Sequence, residues 1–206
     1  MRIAIWLIAA IVCYYVGGMN LAISLSRTLY HEDIRERGSG NPGFTNFKRV
    51  YGNRFAWFVF AFDLLKGAVL ALVFGWLIEK QGFDRQLGVA FAGTFAMLGH
   101  SFPAQCHFKG GKGFLVLLSV LWVLDWRVGL LATTVMVILL LATKYMSLST
   151  MCALLLGAIC LFCLGGSLYA AGLYAACVAF MIWRHRENIR RLRAGTESKF
   201  SFHTER

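Results

Sequence analysis

Apolar residues fill most of this chain in long blocks, separated by short polar stretches rich in glycine or arginine. The first block, Ile3 to Leu25, is long enough to cross a hydrocarbon core of about 30 Å at roughly 1.5 Å per residue. Arg2 and the residues after it resemble a secretory signal, but the run outlasts a signal core and further apolar blocks follow. Phe55 to Leu77 forms a second block, interrupted by Asp63 and Lys66. Charge is costly at membrane depth, so both are expected to face a bundle interior. Their i, i+3 spacing lets them meet on one helix face. Leu87–Phe102 follows. Phe114 to Leu124 is too short to cross unaided, which predicts a half-length helix held inside the protein. Val128–Thr143, Leu148–Leu164 and Leu168–Trp183 complete the set. The pattern predicts an all-α membrane protein with seven transmembrane helices, some half-length, forming one polytopic domain over 1–206.

Composition sharpens this. The 206 residues are 58% hydrophobic and 15% charged, against roughly 45–50% and about 25% in average soluble chains. Disorder is excluded. A soluble nucleic-acid binder would leave the apolar surface uncovered, so no nucleic-acid partner is expected. The net charge is nevertheless +11. Segment 26–54 holds Arg27, Arg35, Arg37, Lys48, Arg49 and Arg54, and segment 184–206 holds seven more cations, so thirteen of the 21 lie in two stretches. The positive-inside rule makes both cytoplasmic. Alternation over seven crossings then puts the N-terminus outside and the basic tail 184–206 inside, with the glycine-rich loop 103–113 and Lys144–Ser147 on that same face. Arg2 opposes this mildly. Cysteines in apolar runs read as small hydrophobes, and the lone Cys160-x-x-Cys163 has no second pair or neighbouring histidine to hold a metal.

Four polar stretches therefore fall on one membrane face. In the first, Gly38 to Arg49, glycines permit close backbone approach to a ligand. Ser39, Asn41, Thr45 and Asn46 offer neutral hydrogen bonds, and Arg49 a planar fork suited to phosphate; an ordinary Gly/Ser/Asn/Pro loop has the same composition. The second joins His100 to Lys109, Gly110, Gly111, Lys112 and Gly113 at the start of an apolar helix, a favourable anion site. It lacks the spacing of a nucleotide-hydrolysing P-loop; the alternative is a flexible turn with snorkelling lysines. In the third, Ser147 reads as a helix N-cap before it reads as a ligand. The fourth continues from the last span, with His185 and Asn188 one turn apart; such basic helices commonly meet anionic lipid headgroups. Glu197 has neighbouring arginines to pair with. Carboxylates are absent from the first three stretches, which argues against paired-carboxylate catalysis and against a magnesium site, so neither cofactor nor metal is expected.

The strings Ser39-Gly-Asn-Pro-Gly-Phe-Thr-Asn46 with Arg49, Gly99-His-Ser-Phe-Pro103 with Phe108-Lys-Gly-Gly-Lys-Gly113, and His185-Arg-Glu-Asn-Ile189 with Gly195-Thr-Glu197 resemble the bacterial acyl-phosphate:glycerol-3-phosphate acyltransferase family. Asp63-Leu-Leu-Lys-Gly67 and Tyr145-Met-Ser-Leu148 resemble its intervening landmarks. Phe44 stands where a small residue is usual. The resemblance implies an inner-membrane enzyme with a cytoplasmic active site. Its partners would be acyl phosphate, glycerol 3-phosphate and membrane phospholipids, with no obligate protein partner readable. It also implies catalytic roles for Ser39, Arg49, Lys109, His185 and Asn188. Substrate-binding roles fall to Asn41, Gly43, Thr45, Asn46, His100, Gly110, Gly111, Lys112, Gly113, Ser147 and Glu197. Two other readings of the same surface are a membrane carrier for anions or lipid phosphates, and acyl transfer from acyl-CoA or acyl carrier protein. The His-x-x-x-x-Asp pair of other glycerolipid acyltransferases is absent: Glu36, Gln105 and Arg190 follow His31, His100 and His185 at the fifth position.

Overall fold

The first apolar block does not stay one helix. Helix α1 (Arg2–Gly17) stops at two glycines, and α2 (Leu21–Leu29) restarts where the Asn20 side chain accepts from the Ile23 amide at 3.0 Å. The Asn20 amide group donates to the Pro42 carbonyl at 2.9 Å, so the same residue that caps α2 anchors the first polar loop. The computed structural model describes residues 2–201; Arg206, counted above in the basic tail, lies outside the described residues. Within them the chain continues as α3 (Phe44–Tyr51), α4 (Asn53–Glu79), α5 (Arg85–Ser101), α6 (Phe114–Leu124), α7 (Trp126–Thr143), α8 (Met146–Cys163), α9 (Leu168–Arg184) and α10 (Arg186–Arg193), with short 3-10 turns at Ile34–Glu36 and Ala104–Cys106.

Among the described residues, five stretches are long and apolar enough to cross a membrane: Arg2–Leu29, α4, Arg85–Cys106, α7 and α8. Helices α6 and α9 are shorter apolar helices. The half-length helix expected at Phe114–Leu124 is present, and most of its side chains are buried because α4, α5, α7, α8 and α9 all pack on it. Large apolar side chains face outward along α1, α4 and α7, as a lipid-exposed surface requires. On α4, outward-facing Trp57 and Trp76 stand nineteen residues apart. That is roughly 28 Å of helix, about one hydrocarbon thickness, and indole rings favour both interfaces.

Helix α5 is the hub, packing against α1, α4, α6 and α9. It can do so because small residues let backbones touch, which is how helices associate where hydrophobic contrast is lost. A Cβ on Gly99 would lie 1.9 Å from the Tyr14 carbonyl oxygen, and one on Gly17 would lie 2.4 Å from the Ala96 oxygen. Both obstacles are backbone, so neither can yield. Gly99→Ala is therefore expected to cost at least the about 1–3 kcal/mol of an overpacked core and to lower the unfolding midpoint in detergent. Gly172→Ala on α9 is the control: a Cβ there meets nothing within 4 Å, and its midpoint is expected to hold or rise.

Two local expectations are corrected. Ser147 is not an N-cap: α8 starts at Met146 with Tyr145 in the cap position, leaving Ser147 free to turn its hydroxyl elsewhere. The basic tail does not continue the last span as one helix. The chain breaks at His185, between α9 and α10.

Candidate active site

Residues of α3 to α8 and α10, with the loops before α3 and α6 and after α10, converge on one cavity of about 350 Å³. Each polar stretch supplies a wall. In the first, Asn46 is buried and structural: its Oδ1 accepts from the Ser39 amide at 2.8 Å and its Nδ2 donates to the Arg37 carbonyl at 2.9 Å. That fixes the loop, so Ser39, Asn41 and Gly43 line the cavity together with Asn46. Helix α3 is amphipathic. Phe44 and Phe47 bury into a small cluster with Ile23, Ile34 and Phe200, while Thr45 and Arg49, one turn apart, face the cavity. Lys48 points away, donating to the Ser201 carbonyl and lying 4.7 Å from the Phe200 ring centre.

The second stretch behaves differently from an open anion nest. The amides of Gly110 and Gly111 donate to the Ser101 and His100 carbonyls at 3.1 and 3.0 Å, pinning the loop to the end of α5. Glycine is needed there for closeness: a Cβ on Gly110 would sit 2.1 Å from the His100 oxygen, and one on Gly111 2.2 Å from His100 Nε2. Two arginines hold the opposite edge. Arg184 donates to the carbonyls of Gly110 and Gly111 at 3.1 and 3.0 Å, and Arg35 to those of Cys106 and Lys109 at 2.8 and 3.3 Å. The consequence is a division between the two lysines. Lys112, Gly113 and His100 line the cavity, whereas Lys109 is exposed and Lys109, Gly110 and Gly111 do not line it.

The remaining walls meet through one acidic side chain. Glu197 Oε1 accepts from the Ser147 hydroxyl at 2.7 Å and from Asn188 Nδ2 at 2.6 Å, and Oε2 accepts from Arg191 Nε at 2.7 Å. Lys112 in turn donates to Asn188 Oδ1. Glycine loop, α8, α10 and tail are thus one hydrogen-bonded network. Burial alone would raise the Glu197 carboxyl, but its bonds from Ser147, Asn188 and Arg191 outweigh that and hold it below the ordinary carboxylate value. Burial, with Arg191 close by, pulls the Lys112 ammonium down to about 8. His185 also lines the cavity, with Nδ1 at 2.9 Å from the Met181 carbonyl. A carbonyl only accepts, so Nδ1 carries the proton and Nε2 keeps its lone pair. Burial, with the Lys112 charge nearby, lowers this ring to about 4.

Two charged residues lining the cavity were not among the expected site residues. Arg191 belongs to the basic stretch whose composition points to lipid headgroups, yet it lines the cavity. The signal was available: His185, Asn188 and Arg191 repeat at three-residue spacing on one face. Asp63 also lines it, paired with Lys66 at 2.7 Å as the spacing had suggested. Opposite the polar walls, Phe60, Phe114, Leu115, Met136 and Met146 from α4, α6, α7 and α8 make an apolar one.

Comparison with known proteins places this arrangement. The glycerol-3-phosphate acyltransferase family profile matches residues 7–195. A relative of that name from Thermoanaerobacter pseudethanolicus is 37% identical over 202 residues, covering 96% of this chain and 97% of its own. One from Coxiella burnetii is 33% identical over 194 residues, covering 94% and 97%. Among solved structures, the crystal structure of PlsY (YgiH), an integral membrane glycerol 3-phosphate acyltransferase, in its glycerol 3-phosphate form superposes with a TM-score of 0.87. The two chains are 32% identical, and the match covers 95% of this chain and 96% of that one. The lysophosphatidic acid form of the same protein gives 0.83 at 31% identity over 95% of each chain.

Proposed function

This chain belongs to the glycerol-3-phosphate acyltransferase family, and from that premise we propose that it transfers a fatty acyl group from acyl phosphate to the sn-1 hydroxyl of glycerol 3-phosphate. The products are 1-acyl-glycerol 3-phosphate and inorganic phosphate. The observation that carries the reading is the two-faced cavity, in which a cationic, hydroxyl-rich wall stands opposite an apolar one. An acyl phosphate has that same division. Arg49, Lys112 and Arg191 hold the two phosphates, with Ser39, Thr45 and the Ser147–Asn188 pair orienting them. Phe60, Met136 and Met146 receive the start of the acyl chain. Lys109, on the surface beside this wall, adds positive potential that draws the dianionic substrates in.

The choice of donor follows from what the cavity-lining carboxylates are doing. Asp63 is held by Lys66 and Glu197 by Arg191, so neither is poised as a general acid. Phosphate is a leaving group that needs none. The sn-1 oxygen attacks the carbonyl carbon, the bond from that carbon to the phosphate oxygen breaks, and phosphate departs with the electron pair. Orientation and charge neutralisation then supply the rate. The hydroxyl proton has two acceptors in reach. A phosphate oxygen, with a second pKa of about 6, is the stronger base; His185 Nε2, on a ring held at about 4, is the weaker. The proton therefore goes to phosphate, and His185 Nε2 accepts a hydrogen bond that aims the hydroxyl. The site lies at the cytoplasmic face of a plasma membrane crossed seven times, with the tail inside, which puts the soluble acceptor and the basic loops on one side.

Lys112 gives this a pH signature. Below about 8 it is charged and binds phosphate; above, it loses the charge, so KM for glycerol 3-phosphate is expected to rise on the alkaline side. Lys112→Arg should remove that limb. His185→Ala should lower kcat without deleting an acid limb, since the ring is neutral across the working range. The decisive assay is purified protein with labelled glycerol 3-phosphate and, separately, acyl phosphate, acyl-CoA or acyl carrier protein. Product from acyl phosphate alone is expected. Product from either other donor alone would overturn the donor, and no product from any would overturn the reading.

A further inference from the structure

Lys66 sits deep among α4, α5 and the break between α1 and α2, with a buried side chain and three contacts. Asp63 Oδ1 is at 2.7 Å, the Met19 carbonyl at 2.8 Å and His100 Nδ1 at 3.0 Å. An ammonium has three protons and no lone pair. The Met19 carbonyl takes one proton, the Asp63 carboxylate pairs with the ammonium by charge, and another proton is directed at the imidazole. His100 Nδ1 must therefore be an acceptor, which leaves the ring neutral with its proton on Nε2. A competing arrangement lies close at hand, because Asp63 Oδ1 is also 3.7 Å from Nδ1. Without the ammonium between them, the carboxylate would draw the ring proton to Nδ1, as carboxylate–imidazole pairs ordinarily do.

We propose that Lys66 is a positioning residue that selects the Nε2–H form of His100, so that the ring donates a hydrogen bond into the phosphate end of the cavity. This rests on reading that cavity as the acyl-transfer site. Nε2 overhangs Gly111, and His100 lines the cavity. The neighbouring Gly110 and Gly111 amides are already committed to α5, so the imidazole supplies a donor where the loop backbone does not. The charged groups around it are Asp63 and Lys66 on α4, and Arg184 at the end of α9, which grips the Gly111 carbonyl. Flipping the tautomer would replace that donor with a lone pair aimed at an anion, a change from attraction to repulsion.

The test is the histidine tautomer itself, read from nitrogen-15 shifts of labelled full-length protein in detergent, with the His100 signal assigned by its loss in His100→Gln. The wild type is expected to show a protonated Nε2 and bare Nδ1 from pH 6 to 8. Lys66→Met should move the proton to Nδ1 or protonate both nitrogens, while Lys66→Arg, which keeps the donor, should preserve the wild-type pattern. A wild-type ring with its proton on Nδ1, or a Lys66→Met ring unchanged, overturns the proposal. Kinetically, His100→Ala and Lys66→Met should each raise KM for glycerol 3-phosphate about tenfold, the size of one lost hydrogen bond to a charged group. His100→Gln, which retains an amide donor, should recover most of it; a glutamine no better than alanine also overturns the proposal. The tautomer measurement needs no turnover, so its failure is separable from failure of the acyl-transfer reading, which would appear as a wild type inactive with every donor.

Discussion

Arg49→Ala is expected to lower kcat/KM for glycerol 3-phosphate by about 10²–10³-fold, the loss seen when one fixed donor to developing negative charge is removed. Arg49 stands on the cavity side of α3, one turn from Thr45, and the burial of Phe44 and Phe47 holds that helix in register. Of the three cations lining the cavity, Lys112 already bonds Asn188 and Arg191 already bonds Glu197. Arg49 is the one through which a planar two-pronged contact to phosphate is most readily made. Lysine keeps the charge and loses the fork, so Arg49→Lys should recover only part of the activity. Steady-state kinetics with both variants checks this. Because Arg49 is exposed, the unfolding midpoint should stay close to wild type, and wild-type turnover in Arg49→Ala would remove the residue from the phosphate site.

Glu197→Ala should have the largest effect on stability and activity together. One carboxylate accepts from Ser147, Asn188 and Arg191, joining α8, α10 and the tail. Hydrogen bonds to charged groups contribute about 1.5–3 kcal/mol each, but they share one acceptor and are partly solvated, so a total of about 3 kcal/mol is the reasonable expectation. The loss also leaves Arg191 unpaired and lets Asn188 turn away from Lys112. A lower unfolding midpoint and turnover below a few per cent should appear together. The sign with pH is fixed by the direction of the shift. A carboxyl held below its ordinary value stabilises fully above the unfolded pKa, and that contribution fades as the pH falls from about 4.5 through the lower folded value. Glu197→Gln should therefore resemble wild-type protein at acid pH.

Elements that depend on neighbours close in the chain were legible before any coordinates. An apolar run of eleven residues, interrupted only by Ser119, between a glycine loop and Asp125 reads as a short buried helix, and Asp63 and Lys66 meet as their spacing demands. What depends on distant partners was not. The break after Gly17 needs the Tyr14–Gly99 approach and the bond from Asn20 to Pro42, both made across the fold. The choice between Lys109 and Lys112 is set by two glycine amides reaching back to Ser101 and His100, which turns one lysine inward and the other out. Ser147 looks like a cap because caps are local, but its partner lies fifty residues away. Arg191 was hidden in a run of arginines whose helix is redirected by the break at His185.

Those separations have a consequence for how the cavity comes into being. Arg49 faces the same cavity as Lys112 and Arg191 from the other side of the turn at Gly82, and Lys48 reaches Ser201 across 153 residues. No contiguous half of the chain carries both sides of the phosphate wall. A polypeptide divided in the exposed turn at Gln81–Phe83, where a side chain on Gly82 would touch nothing, should yield two inert pieces. Brought together in one bilayer, the packing of α4 on α5 offers them a way to rebuild the site. Activity in this protein is then a property of reunion: it reports that the last helices have found the first.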